Sequence, residues 1–299
     1  MLRALVGPTS CGKTEAGLVL ARGWEVEIVS VDSMLVYRGM DVGTAKPTPA
    51  QRALVPHHLL DLAEPSERFT VARFQQEARG ALASLRSPLL VGGSGLYFRA
   101  IVDQLTFPPE DPAVRAALEA EADDLGVEEL FHRLAECDPV AAARIEPGNV
   151  RRIVRALEVT AITGAPFSAF AAAWDRYEPG RVRAAGIRIE REVLAHRIGV
   201  RIQAMLEAGW IDEVRGLLDR GFGSWLTATQ AIGYAELALH LDGRLDLDEA
   251  VEQTVRRTKE LARRQMAWFR RDPRIRWFDA GQGGALEVLD EARTHLEAA

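Results

Sequence analysis

Residues 7–14 form a glycine-rich segment with the spacing of a phosphate-binding loop. The segment reads Gly-Pro-Thr-Ser-Cys-Gly-Lys-Thr and fits the pattern G-x-x-x-x-G-K-[ST]. Its glycines let backbone N–H groups turn inward around an anion, and a following helix adds its positive end. The ammonium of Lys13 can reach bridging phosphate oxygens, and the Thr14 hydroxyl can ligate Mg²⁺. The predicted phosphate-binding residues are Gly7, Pro8, Thr9, Ser10, Cys11, Gly12, Lys13 and Thr14.

A carboxylate, Asp32, follows the second apolar run of the chain, residues 26–31. This position is the carboxyl end of a predicted strand, on the edge where α/β sheets bind ligands. A nucleotide-hydrolysing switch protein usually has another acidic residue after a later apolar strand, but residues 89–91 run into Gly92 instead. We therefore expect Asp32 to be a metal partner or a general base, with a turn or helix-capping role as the alternative.

The elements that must position these residues alternate between short apolar runs and helical patterns. Strands are predicted at residues 2–6, 26–31 and 89–91, and helices at 13–22, at 67–86 and from about 96. Such alternation is typical of parallel β–α units. The predicted fold class is α/β, with a P-loop parallel-sheet core.

A proline-rich segment, residues 107–112, precedes an alanine-rich helical stretch. We predict a P-loop core of residues 1–112 and 186–299, interrupted by an all-helical insertion at 113–185. Residues 184–189 could add one core strand. The remaining predicted elements are helices at 191–207, 211–220, 229–240 and 247–270, a strand at 274–278 and a closing helix at 284–297.

The composition of the 299-residue chain excludes several classes of protein. It is 47% hydrophobic, which is too apolar for a disordered chain, yet no apolar run approaches the roughly 20 residues of a membrane span. The two cysteines form neither a disulfide framework nor a metal motif, and residues 1–6 are too short for the apolar region of a signal peptide. We expect a cytoplasmic protein that does not bind membranes.

The net charge of −6 conceals local basic segments. Residues 251–277 carry nine basic and three acidic residues, a local charge of +6. Four of the basic residues can share one helix face; they are Arg256, Lys259, Arg263 and Arg270. Gln265, Trp268 and Phe269 add the amide and stacking surface used in RNA loop recognition. The segment predicts an RNA-binding face, with a solvated helix face as the alternative.

Residues 32–48, Asp-Ser-Met-Leu-Val-Tyr-Arg-Gly-Met-Asp-Val-Gly-Thr-Ala-Lys-Pro-Thr, resemble a block of the bacterial tRNA dimethylallyltransferases, also called tRNA isopentenyltransferases. The likeness continues in order at residues 56–61, 92–97, 138–139, 151–158, 230–234 and 263–270. The resemblance implies transfer of a dimethylallyl group from dimethylallyl diphosphate to N6 of the adenine just 3′ of the anticodon in tRNA. Diphosphate would leave, and the glycine-rich loop with Mg²⁺ would hold it.

The resemblance also implies roles for single residues. Asp32 aligns with the family's general base and would take the N6 proton, while Lys13 and Thr14 align with groups that hold the diphosphate and the metal. Ser94 stands where the family usually has Thr beside the reacting groups, and it keeps the hydroxyl. We count Asp32, Lys13, Thr14 and Ser94 as catalytic. Arg197 and Arg201 match a helix whose arginine binds the diphosphate, and the sequence does not decide between them.

The tRNA contacts implied by the resemblance include an arginine cluster on the insertion, which would grip the anticodon arm. The residues are Asp32, Ser33, Met34, Leu35, Ser94, Arg115, Arg151, Arg152, Arg155, Gln230, Gly233, Arg263, Arg264, Gln265, Trp268 and Arg270. The family usually has Gln at the position of Leu35, and leucine cannot hydrogen-bond a base edge. We interpret Asp41 as structural and leave Lys46 open between ordering its loop and contacting tRNA.

Three other functions share some of these features. A prenyltransferase acting on free adenine nucleotides needs the same loop and base, but it does not need the arginine clusters. A P-loop nucleotide kinase would use ATP, and residues 43–47, Gly-Thr-Ala-Lys-Pro, do not fit it. A non-catalytic RNA-binding module would not need an intact phosphate loop. We expect a monomeric enzyme whose partners are tRNA and dimethylallyl diphosphate.

Overall fold

The computed structural model describes residues 1–103, 105–171 and 176–298. The chain forms two compact units, one of Met1–Gln104 with Tyr177–Ala299 and the other of Leu105–Arg176. The second unit corresponds to the insertion predicted at 113–185, but both of its boundaries lie earlier in the sequence than predicted. The proline-rich segment belongs to the second unit because Arg155 donates hydrogen bonds to the carbonyls of Pro108 and Pro109.

The first unit is built on a six-stranded parallel sheet with the strand order β3-β2-β4-β1-β5-β6. The strands are β1 (Leu2–Val6), β2 (Ile28–Val31), β3 (His57–His58), β4 (Leu89–Gly92), β5 (Val182–Ile189) and β6 (Ile275–Ala280). Five of them lie where the sequence predicts strands. The edge strand β3 was missed because two residues are too short to show a periodic pattern.

Thirteen helices are defined among the described residues. They are α1 (Lys13–Trp24), α2 (Pro49–Leu54), α3 (Val71–Ser84), α4 (Gly95–Val102), α5 (Pro112–Leu125), α6 (Val127–Cys137), α7 (Pro139–Ala142), α8 (Val150–Thr163), α9 (Arg191–Glu207), α10 (Trp210–Leu218), α11 (Tyr234–Leu241), α12 (Leu247–Phe269) and α13 (Leu289–Glu297). Short 3₁₀ turns stand at Phe167–Ala171, Phe222–Ser224, Ala228–Gln230 and Gly284–Leu286. The predicted closing helix at 284–297 is therefore divided into a 3₁₀ turn and α13.

The centre of the sheet is apolar on both faces, as expected of parallel strands covered by helices. Leu5, Val29, Leu89 and Ile187 are completely buried there. Because the strands are parallel, their carboxyl ends meet at one edge of the sheet. The loops after β1, β2 and β4, which are adjacent strands, consequently lie side by side.

The second unit has a separate apolar core among the helices α5 to α8. Its described residues form helices and 3₁₀ turns, in agreement with the all-helical prediction. The first of these helices, α5, begins at Pro112, and the Asp111 side chain accepts hydrogen bonds from the N–H groups of Ala113 and Val114. In the described part of the chain, none of the helices combines the length and apolar character that crossing a membrane requires.

Candidate functional site

The predicted phosphate loop connects β1 to the first turn of α1. Gly12 precedes the helix with a φ of +90°, a left-handed conformation that favours glycine. Lys13 is the first residue of α1, and its Nζ donates to the carbonyl oxygen of Pro8 and lies 3.6 Å from the Cys11 Sγ. The loop therefore has the strand-before and helix-after context that an anion site requires.

Two cavities meet at this loop. A groove of about 1340 Å³ runs between the loop, residues 41–52 and helix α9. A smaller chamber of about 170 Å³ adjoins the same loop, and Asp32 forms part of its wall. The residues that line both cavities are Ser10, Lys13, Thr14, Ala45, Arg201 and Met205. A molecule with an anionic end and an apolar end can therefore hold its anion at the loop and place its apolar part in the chamber.

About half of the residues in the chamber wall are hydrophobic. Its hydrophobic lining residues are Met34, Leu35, Ala45, Val91, Ile198, Ile202, Met205, Trp210, Ala231, Ile232 and Leu261. Leu35, which replaces the family's usual Gln, thus belongs to an apolar surface. This setting strengthens the interactions of the few charged groups that face the chamber, since little water can screen them.

Asp32 is held in a turn as well as in the chamber wall. Its Oδ1 accepts a hydrogen bond of 2.8 Å from the backbone N–H of Met34. Burial raises the pKa of the Asp32 carboxyl, although hydrogen bonds from the N–H groups of Met34 and Leu35 and the charges of Lys13 and Arg201 oppose the rise. A raised pKa brings a carboxylate closer to the range in which a general base works well at neutral pH.

The two candidate arginines of α9 have different surroundings. Arg197 donates from Nε to the Ser10 carbonyl at 2.9 Å and from Nη1 to the Gln282 carbonyl at 2.5 Å, so it braces the phosphate loop. Arg201 lines both cavities. Burial lowers the pKa of its guanidinium, while the nearby Asp32 carboxylate acts to raise it. Of the two, Arg201 is the one that faces the chamber.

Two further predicted site residues lie beside the loop. Gln265 is buried on α12, and its Oε1 accepts a hydrogen bond of 2.8 Å from the Thr9 N–H. Gln265 also lines the chamber, and the contact that the structure shows for it is with the phosphate loop. Ser94 directly precedes α4, and its N–H donates to the Val31 carbonyl at 3.2 Å. Gly93 lines the chamber, but Ser94, the next residue, is not among the lining residues of either cavity.

The predicted arginine cluster of the second unit is divided by the structure. Arg115 and Arg155 both form ion pairs with Glu158, whose side chain has no exposed surface. Burial acts to raise the pKa of Glu158, but the hydrogen bonds from the two arginines lower it overall. Arg151 and Arg152, by contrast, are exposed on α8. The first two arginines are therefore engaged inside the unit, and the last two present charge at its surface.

The basic segment at 251–277 is divided in the same way. Arg256, Lys259, Arg263, Arg264 and Arg270 are exposed. Two others are not part of a free basic face. Arg257 forms an ion pair with the buried Glu236, and Arg274, only 6% exposed, forms ion pairs with Asp103 and Asp272. The local charge of +6 thus overstates the charge presented at the surface, because two arginines neutralise interior carboxylates.

The remaining predicted tRNA contacts have varied settings. Trp268 is 40% exposed on α12 and packs against Gly95. Gln230 is exposed, and its Nε2 donates to the Leu226 carbonyl at 3.0 Å. Gly233 is buried against the ring of Trp210. Ser33 and Met34 are partly buried beside Asp32. Of these, Gly233 has a packing role that its sequence motif did not reveal.

Fold and site together define an α/β P-loop enzyme with an anion site that opens into a chamber with a partly hydrophobic wall. The profile of the family described as IPP transferase matches residues 35–272. A tRNA dimethylallyltransferase of Kineococcus radiotolerans is 50% identical over 99% of this chain and 95% of its own length. Another, from Streptomyces coelicolor, is 48% identical over 95% of this chain and 92% of its own length.

Solved structures agree with these sequence matches. The tRNA isopentenylpyrophosphate transferase of Bacillus halodurans superimposes with a TM-score of 0.70 at 40% identity, covering 99% of this chain and 96% of that one. The chain belongs to the IPP transferase family and is a transferase. The family resemblance found in the sequence is confirmed.

Proposed function

We propose that the protein transfers a dimethylallyl group from dimethylallyl diphosphate to N6 of the adenine immediately 3′ of the anticodon in tRNA. The similar proteins of Kineococcus radiotolerans and Streptomyces coelicolor are named tRNA dimethylallyltransferases. The observation that carries the proposal is the junction of an anion site, a partly hydrophobic chamber and the carboxylate of Asp32. It is at this junction that the prenyl donor, the acceptor nitrogen and the base come together.

The donor binds with its diphosphate at the phosphate loop. Lys13 and Arg201 supply positive charge there, and the loop supplies inward-facing N–H groups. Of the two α9 arginines, Arg201 binds the diphosphate, because Arg197 holds the loop itself through Ser10 and Gln282. The five-carbon group enters the chamber and packs against its hydrophobic residues, where each buried CH₂ contributes about 0.8 kcal/mol.

Asp32 is the general base of the transfer. The N6 nitrogen attacks the first carbon of the dimethylallyl group, the bond from that carbon to the diphosphate oxygen breaks, and Asp32 takes the proton that N6 releases. The negative charge that grows on the leaving diphosphate is stabilised by the cations and N–H groups of the loop. The raised pKa of Asp32 suits this proton transfer.

The residues at the loop fit a bound Mg²⁺. Among the described residues no group of three His, Cys, Asp or Glu side chains could hold a metal by itself. Mg²⁺ commonly binds through one or two protein oxygens together with substrate phosphates and water. The Thr14 hydroxyl, which is in the chamber lining, is a suitable oxygen. The ion would neutralise charge on the diphosphate.

The RNA is held by exposed basic residues. The face of α12 that carries Arg256, Lys259, Arg263 and Arg264 can contact the phosphate backbone, as can Arg270 at its end. On the second unit, Arg151 and Arg152 offer a basic surface for the anticodon arm. The adenine must leave its stack to bring N6 to the chamber, so the base is flipped. As part of this proposal, the enzyme works as a monomer in the cytoplasm.

A labelling experiment tests the proposal against its alternatives. The protein is incubated with radiolabelled dimethylallyl diphosphate and Mg²⁺, together with either unmodified tRNA or AMP. A parallel reaction contains ATP and a nucleotide acceptor. We expect label in tRNA, little in AMP and no phosphoryl transfer. Label that enters only AMP would indicate a free-nucleotide prenyltransferase, and phosphoryl transfer from ATP would indicate a kinase.

A further inference from the structure

Residues 41–46, here called the wall segment, separate the groove from the chamber. Asp41, Val42, Ala45 and Lys46 line the groove, whereas Gly43, Thr44 and Ala45 line the chamber. The position of this short segment therefore determines the shape of both cavities beside the phosphate loop.

One carboxylate on α10 holds the beginning of the wall segment. The Glu213 Oε2 accepts hydrogen bonds from the backbone N–H groups of Asp41 at 2.7 Å and Val42 at 2.8 Å. Its Oε1 accepts one from the N–H of Gly43 at 3.1 Å and one from the Tyr234 hydroxyl at 2.6 Å. Both oxygens of the carboxylate are thus used, and hydrogen bonds to an ionised acceptor are stronger than neutral ones.

Tyr234 completes the arrangement around Glu213. Burial and the neighbouring carboxylate raise the pKa of Tyr234, so its phenol keeps the proton that it donates. The ring is fully buried and packs edge-to-face against Trp210. Tyr234 consequently helps to fix the carboxylate of Glu213 by donating to the same oxygen that accepts from Gly43.

Helix α10 contacts the wall segment a second time through Trp210. A Cβ atom built on Gly43 would lie 1.9 Å from the Trp210 Nε1, so no other residue fits there unless the segment or the indole moves. Trp210 is itself 1% exposed and cannot easily move away. The segment is therefore seated directly on α10.

The other end of the wall segment is anchored by Lys46. Its ammonium is completely buried and contacts the Tyr37 carbonyl at 2.5 Å, Asp41 at 2.6 Å and Asp61 at 2.7 Å. These contacts give Lys46 the role of ordering its loop, one of the two roles that the sequence left open. The segment is consequently fixed at both ends by charged groups.

We propose that Glu213 is a positioning residue for prenyl transfer, acting through the wall segment and not by contact with substrate. The inference rests on the proposed function. If the segment shifts, donor and acceptor no longer meet in the productive geometry, and a displacement of about 1 Å can cost about 100-fold in rate. Exposed residues of α12 and α8 do not depend on the segment, so tRNA affinity should be retained.

The test compares Glu213→Gln with Asp212→Asn. Asp212 is the preceding residue of α10, its side chain is 79% exposed, and it forms an ion pair with Arg215. A third variant, Tyr234→Phe, removes one hydrogen bond to Glu213 and keeps the ring. For each variant we would measure kcat, the KM for dimethylallyl diphosphate, the Kd for tRNA, and amide hydrogen exchange in residues 38–47.

For Glu213→Gln we expect faster amide exchange at residues 41–43, kcat reduced at least tenfold and a raised donor KM, with an unchanged tRNA Kd. Asp212→Asn should match the wild type, and Tyr234→Phe should show the same changes to a smaller extent, which also serves if Glu213→Gln folds poorly. The inference is overturned if exchange and kinetics of Glu213→Gln and Tyr234→Phe match those of Asp212→Asn. If the wild-type protein transfers no label, the proposed function fails, whereas the exchange data still test the anchoring by Glu213.

Discussion

The two faces of helix α12 show how differently the chamber and the proposed RNA surface use polar residues. On the buried face, Gln265 makes one hydrogen bond to the Thr9 N–H of the phosphate loop. On the exposed face, Arg263 and Arg264 stand in solvent. A buried polar group acts through the hydrogen bond that its position allows. Exposed charges act through their combined attraction to a charged partner. Substitutions in the chamber should therefore change the rate of transfer, and substitutions on the exposed face should change tRNA affinity and its salt dependence.

The largest effect is expected at the chamber, from Asp32→Ala. Because Asp32 is the proposed general base, its removal should lower the single-turnover rate of prenyl transfer at least ~100-fold. Affinity for tRNA should stay within about twofold, because the exposed basic residues remain. Rapid-quench measurements with radiolabelled donor give the rate, and filter binding gives the affinity.

A matched control is Asp279→Asn, which changes an exposed carboxylate on β6 that forms an ion pair with Arg188. This variant should transfer the group at the wild-type rate. An Asp32→Ala protein with an unchanged single-turnover rate would remove Asp32 from the role of base.

The next effect concerns the exposed face, tested with Arg263→Gln combined with Arg264→Gln. Without these two guanidinium groups, tRNA binding should weaken about tenfold. The slope of log K for tRNA binding against the logarithm of the salt concentration should become less negative by roughly 0.7–0.9 for each phosphate that is no longer neutralised. The rate at saturating tRNA should change little. Arg293→Gln on α13, also a surface arginine, is the control and should keep the wild-type salt slope. An identical slope in the double variant would exclude this face from RNA binding.

The pH dependence gives a further test of the chamber. Asp32 must be ionised to accept a proton, so the transfer rate should fall as the pH drops through its pKa, about tenfold for each unit below it. Because burial raises this pKa, the fall in rate on the acid side of the pH profile, the acid limb, should have its midpoint above the ordinary value of 3.8. Since Arg201 lowers the pKa, Arg201→Gln should move the limb to higher pH. A limb at or below 3.8 in the wild type would contradict this placement of Asp32.

The smallest effects separate two arginines of α8. Arg155→Gln removes a charged hydrogen bond to the buried Glu158 and should lower the free energy of unfolding by about 1–3 kcal/mol. Exposed Arg152→Gln should leave stability within about 0.5 kcal/mol but weaken tRNA binding a few-fold. Thermal unfolding and filter binding distinguish the two. Equal loss of stability in both variants would show that exposure does not separate their roles.

Features with a local pattern could be predicted from the sequence. The phosphate loop, Asp32 at the end of β2 and the long helices α9 and α12 each depend on residues that are adjacent or regularly spaced. Glu213 could not be predicted because its partner Gly43 lies 170 positions away in the sequence, and no short pattern connects them.

The arginines show the same limit of prediction from sequence, because their partners are also distant in the chain. Sequence places positive charge in a segment but does not reveal which arginine meets an interior carboxylate. Arg115 and Arg155 meet Glu158, and Arg274 meets Asp103 and Asp272. These pairings are tertiary, so the predicted basic clusters were larger than the surfaces that the fold presents.

The most direct test of the central claim locates the transferred group in the RNA. The protein is given radiolabelled dimethylallyl diphosphate and two tRNAs that differ only at the position 3′ of the anticodon, adenine in one and guanine in the other. After nuclease digestion, we predict one labelled nucleoside per tRNA, N6-dimethylallyladenosine from that position, and no label in the guanine variant. Label of equal amount in both tRNAs, or label in neither, would contradict the account.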